Sequence, residues 1–288
     1  MEELTWMVYA AGYVLAAMVL LWFSKKLFDV LTTYSVERQL TEKDNPAVGL
    51  LLTGFFLGII AVLCGVFMGD NEGELTLDAF LGELGPVVLY AFLGMLLLFL
   101  AGVVNDKLIL HSFDNEREII DSKNTAVAVI MFATYVGSGL VIAGGIHGCT
   151  GMLSAVIGFG AGQCALVAFA ALYQRSTGYD DQEEIGKNRN VAAGTAFGGN
   201  VLAYSIILMK GLTMQSGELT TVWDRSWHFG YYAIAGGLLL IVTRIINDRV
   251  FLPSARIRDE VVRDRNINAG YMEATLAIGM GVILVVCL

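Results

Sequence analysis

The chain has 288 residues, 56% of them hydrophobic and only 16% charged, with a formal charge of −9 and a mean hydropathy of +0.65. A soluble domain carries about 25% charged residues, so a water-exposed globule of this composition is excluded. The acidic balance leaves no basic stripe for nucleic acid, and four cysteines without a CxxC or metal spacing exclude a zinc module.

Taken in order, the chain holds eight apolar stretches: Trp6–Phe23, Pro46–Met68, Pro86–Val104, Thr125–Ile146, Met152–Tyr173, Val191–Met209, Phe229–Ile246 and Ile267–Leu288. Each approaches the ~20 residues that cross a bilayer as a helix. Glu2 and Glu3 precede the first stretch and Lys25 and Lys26 follow it. That is the reverse of a cleavable leader, so the first helix is expected to be retained with its N-terminus exported.

Sixteen of the eighteen Lys and Arg residues fall in the segments joining spans 1–2, 3–4, 5–6 and 7–8 or, as Arg244 does, at the end of a span that borders one; only Lys210 and Arg225 lie on the other side. The positive-inside rule then puts those four segments in the cytoplasm and both termini outside. The outer segments carry acids instead, among them Asp70, Glu72, Glu74, Asp78 and Glu83.

Each of the four linkers closes on an asparagine that opens an apolar span: Asn45-Pro46-Ala47, Asn124-Thr125-Ala126, Asn190-Val191-Ala192 and Asn266-Ile267-Asn268. Asn is among the strongest N-cap residues, because its side-chain oxygen accepts from an orphaned backbone N–H of the first turn. Val104-Asn105-Asp106-Lys107 precedes Asn124 by the same interval at which Ile246-Asn247-Asp248-Arg249 precedes Asn266, an offset of 142 that also pairs Ser112 with Ser254 and Glu118 with Glu260. The pattern predicts an all-α polytopic membrane protein, a tandem duplication of a four-helix unit with halves at 1–146 and 147–288. An even number of spans per unit makes the repeats parallel. Residues such as Ile109, Phe113, Glu116, Ile119 and Ile120 have helical spacing, so the linkers are expected to be amphipathic helices at the membrane interface. The even spans carry much of the glycine and are expected to pack centrally, with the Leu-rich spans 1 and 3 facing lipid.

An Asn-(Thr/Val)-Ala-(Val/Ala)-(Ala/Gly) start on a glycine-rich span, behind a linker such as Tyr173-Gln174-Arg175 through Glu183-Glu184-Ile185, resembles the bacterial inner-membrane DUF350 family, also called UPF0719 or YjfL-type. A unit of that family has about four spans and two Asn-Ala motifs, so the chain resembles two units in tandem. The first copy departs at Pro46 and the fourth at Asn268 and Glu273. The resemblance implies a plasma-membrane protein of no established biochemical activity, working beside envelope-stress or polyamine-ligase-like partners.

Few residues offer chemistry. Glu273 is the ionisable residue that lies well inside a span, and its counterparts Leu52, Met131 and Phe197 are apolar. Intramembrane carboxylates are costly and line ion or proton pathways; the alternative is a structural pairing with Arg244 at the end of span 7. Asn200 and Gln163 are placed for a polar pathway or for interhelical hydrogen bonds. His147 with Cys149 supplies too few ligands for a metal. Cys64, Cys149 and Cys287 fall near the outer face, where either a disulfide or free thiols fit. No nucleophile–base order, phosphate loop or metalloprotease helix occurs, so no enzymatic activity, cofactor or metal is expected. The function this supports is a channel or transporter for a small ion or solute, using the axis between the parallel repeats. The alternative is a non-transporting scaffold that recruits a cytoplasmic partner, for instance in envelope stress. Expected partners are the lipid bilayer, further copies of the chain and a cytoplasmic protein.

Overall fold

The computed structural model describes residues 2–68, 77–148, 151–213, 221–251 and 255–288. Its helices in chain order are α1 (Glu2–Leu31), α2 (Val36–Thr41), α3 (Pro46–Phe67), α4 (Leu77–Val104), α5 (Asn115–Ile120), α6 (Thr125–His147), α7 (Met152–Ser176), α8 (Val191–Leu212), α9 (Val222–Tyr231), α10 (Gly237–Val250), α11 (Ile257–Val262) and α12 (Ile267–Cys287). Among the described residues three π turns interrupt them, at Asn105–Ile109, Glu183–Lys187 and Tyr232–Gly236. Among the described residues, eight helical segments are long and apolar enough to cross a membrane, the seventh running through α9, its π turn and α10. Their length and composition are those of membrane-crossing helices.

The even spans begin where the asparagines predict. Asn45, Asn124 and Asn190 each accept at Oδ1 from the second and third backbone N–H groups of their helix, and Asn266 accepts from Asn268. The odd spans run longer than predicted, because a helix does not stop where hydropathy does. α1 continues through Lys25 and Asp29, which pair one turn apart at 2.9 Å.

The linkers differ from the expected single amphipathic helix. After the π turn at 105–109 the chain breaks and restarts at α5, capped by Asp114. Ile109 and Ile119 are buried against protein, so the apolar stripe of this linker seals the cap end of the bundle. In every linker the residue before the asparagine turns into the left-handed region: Asp44, Lys123, Arg189 and Arg265 have φ between 45° and 50°. That conformation, at a cost of roughly 1–2 kcal/mol for a residue with a Cβ, lets each Asn backbone N–H reach the carbonyl six residues earlier, on Gln39, Glu118, Glu184 and Glu260.

α3, α6, α8 and α12 form a row, all running away from the cap side, with α3 and α12 at its ends. One packing register serves all three seams. Gly58 meets Gly139, Gly137 meets Ser205, and Ala203 meets Gly281; in each case the residue thirteen beyond one asparagine faces the residue fifteen beyond the next. Gly194 similarly lies on Ala126, and Gly270 on Ala192; a Cβ on either glycine would fall 2.6 Å from the facing carbonyl oxygen. With no hydrophobic drive between helices inside lipid, this close backbone approach is what holds such a row together. It also corrects one expectation: the α6–α8 seam between the halves is packed like the other two, so no axial pathway runs there.

The remaining spans flank the row. α1 and α4 pack on α3, and α4 also on α6; α7 packs on α6 and α8, and α10 on α12. Their outer faces expose Val14, Met18 and Trp22 on α1, Leu96 and Leu100 on α4, Leu153 and Ile157 on α7, and Leu238 and Val242 on α10, as lipid-facing surfaces do.

Candidate functional site

Polar groups inside the second half converge on Glu273. It lies seven residues into α12, roughly 10 Å along the axis from the cap, and is 4% exposed. Its Oε1 accepts from Arg244 Nε of α10 at 2.6 Å, from Tyr173 Oη of α7 at 3.0 Å and from Asn200 Nδ2 of α8 at 3.4 Å. Four helices therefore meet on one carboxylate oxygen. The Arg244 guanidinium lies 4.7 Å from the Tyr173 ring centroid and donates from Nη1 to Ser176 Oγ at 3.1 Å. Tyr173 in turn stacks on Phe197 at 5.0 Å. Glu273 Oε2 is buried with no hydrogen-bond partner among the described residues.

Of the residues singled out from the sequence, Glu273, Arg244 and Asn200 are brought together here, while Gln163 is not. Gln163 Nε2 donates to Ser138 Oγ at 3.0 Å, tying α7 to α6. Cys64 and Cys287 are free thiols, and Cys149 lies outside the described residues. Tyr173 and Ser176 escaped the sequence reading because they close an apolar span and look like its ordinary end.

Asp181 was also missed, hidden among the linker charges. It is 2% exposed, accepts from Thr177 Oγ1 at 2.7 Å, and keeps Oδ1 buried without a partner among the described residues. Burial pushes its carboxyl up to about 7, against the opposing Thr177 hydrogen bond and Arg244 charge, with Glu273 and Asp180 raising it further. A carboxyl raised on folding contributes stability that is full below its unfolded value near 3.8 and lost as pH rises through about 7. The free energy of unfolding in detergent is therefore expected to fall between about pH 4 and 7. Asp181→Asn should flatten that slope and raise stability at pH 8 by on the order of 3 kcal/mol, leaving pH 4 nearly unchanged. Equal slopes for the two proteins would refute the assignment.

A polar cavity of about 850 Å³ opens on the cap side of this cluster. Ser176, Thr177, Arg244 and Glu273 form part of its wall, with Asp248, Arg249, Arg256, Arg258 and Arg263. A second, apolar cavity of about 670 Å³ lies toward the other end of the same helices, lined by Met152, Leu153, Ile157 and Ala161 of α7 with Val222 and Phe229 of α9. Along α7 the two linings are separated by fifteen residues, about 22 Å of helix. That interval holds Phe169, stacked on Tyr204 at 4.2 Å, and Tyr173. The π turn Tyr232–Gly236 sits between the cavities on the facing span, where Tyr204 Oη donates to the Ala233 carbonyl at 2.8 Å. Single π turns of this kind occur often at functional sites.

The first half has the same frame with different side chains. Asp106 Oδ1 accepts from the Asn115 N–H, as Asp248 Oδ1 does from Ile257. At the offset of 142, however, Met131 stands for Glu273 and Gly102 for Arg244. The space is filled by Tyr135, whose hydroxyl lies where a Cβ on Gly102 would go.

The model of the Domain of Unknown Function family DUF350 matches the chain twice, over residues 2–146 and 149–288. The chain belongs to the DUF350 family. It is also similar to a UPF0719 transmembrane protein of Aquifex aeolicus (strain VF5), with 27% identity over 134 residues, which is 46% of this chain and 47% of that protein. The chain thus spans about half the length of the curated relative it matches. No solved structure matches. Within this DUF350 protein the polar cluster occupies one of the two matched segments only, so the fold that the segments share does not require it.

Proposed function

We propose that this protein is a bacterial inner-membrane channel or transporter for a small ion or solute, a duplication whose second unit alone carries the working site. The carrying observation is the buried Glu273, held by Arg244, Tyr173 and Asn200 at the floor of an open polar cavity, with one carboxylate oxygen left over. A charge in a membrane span is expensive, and such residues mark ion, proton or substrate paths. The distribution of Lys and Arg supports an orientation with the cap side in the cytoplasm and both termini outside. The pathway would run between α7, α8, α10 and α12. Phe169, Tyr204, Tyr173 and Phe197 would form the barrier between a cytoplasmic polar cavity and an outer apolar one.

The test is flux in proteoliposomes. Vesicles loaded with a pH dye and given an imposed potential report protons, and parallel vesicles are scored for uptake of labelled phosphate. Flux above protein-free vesicles is expected for one of the two, reduced about tenfold or more in Glu273→Gln. Absence of both fluxes, or equal flux in the variant, would reject transport and leave the scaffold reading, which rests on the exposed linker ion pairs such as Arg38–Glu42 and Lys187–Glu183.

A further inference from the structure

The arginines of the cap-side cavity are not dictated by the fold. At the offset of 142, Arg256 corresponds to Asp114, Arg258 to Glu116 and Arg263 to Asp121. Asp114 and Glu116 line the matching cavity of the first half, of about 390 Å³, together with Asp106 and Lys107. The same turn of chain, with Asp106 and Asp248 making equivalent backbone hydrogen bonds, therefore presents Asp114 and Glu116 in one half and Arg256 and Arg258 in the other, while Asp259, which also lines the second cavity, stands for Arg117. A general need for positive charge beside the membrane would act on both halves alike, so the second set needs its own cause.

Three of the five arginines that line the second cavity are also uncommitted. Arg244 is taken by Glu273 and Arg263 by Asp264. Arg249, Arg256 and Arg258 form no ion pair among the described residues, whereas Lys107, the counterpart of Arg249, is paired with Asp106 at 2.5 Å. Of the acids in the second cavity's lining, Asp248 accepts the Ile257 N–H at 2.8 Å and Asp259 forms no ion pair among the described residues. The second cavity is more than twice the volume of the first, large enough for a group of several heavy atoms. Guanidinium forks match the planar, bidentate geometry of phosphate and carboxylate oxygens better than any other side chain.

We infer that Arg249, Arg256 and Arg258 bind a phosphate-bearing anion, free or as the headgroup of an acidic lipid, in the cap-side cavity of the second half. Glu273 lines the same cavity, and its buried Oε2 is an acceptor without a partner among the described residues, suited to a hydroxyl or ammonium group on that ligand. The inference concerns binding; if the transport reading also holds, it names the substrate class, and the binding experiment reads it without flux.

The test uses the full-length protein in nanodiscs and follows thermal unfolding and calorimetric titration with inorganic pyrophosphate. The variant is Arg256→Asp with Arg258→Glu, which installs the acids that the first half already accommodates and so preserves the fold. In zwitterionic nanodiscs the parent is expected to bind pyrophosphate, and the variant to bind it at least about tenfold more weakly, the loss of one charged hydrogen bond being worth that much. If the natural ligand is a headgroup, the shift in unfolding temperature appears instead on adding phosphatidylglycerol to the disc and is lost in the variant. The conservative variant Arg256→Lys with Arg258→Lys should retain part of either effect. Neither ligand shifting the parent, or both shifting parent and charge-reversed variant equally, would overturn the inference. Binding without flux would uphold it and sink transport alone.

Discussion

Glu273→Gln and Arg244→Gly are each expected to destabilise the protein by about 3–5 kcal/mol, because each leaves the other member of a buried ion pair without its partner. The pair is well enclosed: the Glu273 side chain is 4% exposed and that of Arg244 16%. The informative variant is the one that imports the first half's solution. Met131 and Gly102 occupy the corresponding places, and Tyr135 fills the space that a side chain on Gly102 would take. Glu273→Met and Arg244→Gly together remove both charges but leave a void, since the counterpart of Tyr135 is Ala277. Adding Ala277→Tyr should close it. The triple variant is expected to return to within about 1–2 kcal/mol of the parent, as replacing a buried pair by packed apolar groups often does, while losing flux altogether. Denaturant or thermal unfolding in detergent, run as a cycle over the single, double and triple variants, gives the coupling directly. A triple variant as unstable as the sum of the singles would mean that the cluster is structural and the two halves are not interchangeable there.

The sequence carried those features whose physics is local. The asparagine caps satisfy backbone groups two and three residues away, so the starts of α3, α6, α8 and α12 were legible to the residue. The glycine content of the even spans pointed to the central row for the same reason, since small residues are what permits close helices. Features that depend on which elements meet were not legible. Tyr173 looked like the apolar end of a span, and nothing local announced that it would donate to a carboxylate one hundred residues away. Asp181 looked like one linker charge among many, yet the turn at Thr177 folds it inward. The linkers carried helical spacing, but the break between Ile109 and Asn115 came from a turn that hydropathy does not encode. The exchange of Asp114 and Glu116 for Arg256 and Arg258 stands in the alignment of the halves, but its meaning depends on the cavities those side chains line, which the sequence offset does not encode.

Asn124→Ala is expected to cost roughly 3 kcal/mol, more than a helix cap alone, because Asn124 joins three pieces of chain. Its Oδ1 accepts from the N–H groups of Ala126 and Val127 at 3.0 and 3.4 Å. Its Nδ2 donates to Glu118 Oε2 at 3.1 Å within its own linker and to the Ile185 carbonyl of the following linker at 2.9 Å. Loss of the cap is worth about 1 kcal/mol, and a buried carbonyl left without its donor adds about 1–3 kcal/mol. Asn45 reaches the Ile119 carbonyl and Asn190 the Val261 carbonyl in the same way, at 3.0 and 2.7 Å. Each of these three asparagines therefore fastens its unit to the next as well as starting a helix. Asn266 stands at the end of the row. It keeps its cap and its bond to Glu260 Oε2 at 2.8 Å but reaches no carbonyl of another linker among the described residues, so Asn266→Ala should cost only about 1 kcal/mol. Asn124→Asp separates the two roles. It preserves the acceptor, removes the donor and sets a second carboxylate against Glu118, so it should be at least as damaging as alanine even though Asp caps helices as well as Asn does. Thermal unfolding of the four proteins in one detergent decides the matter, with amide exchange at Ile185 and Gly186 reporting the linker locally. Equal losses for Asn124→Ala and Asn266→Ala, or a native-like Asn124→Asp, would reduce the motif to capping alone.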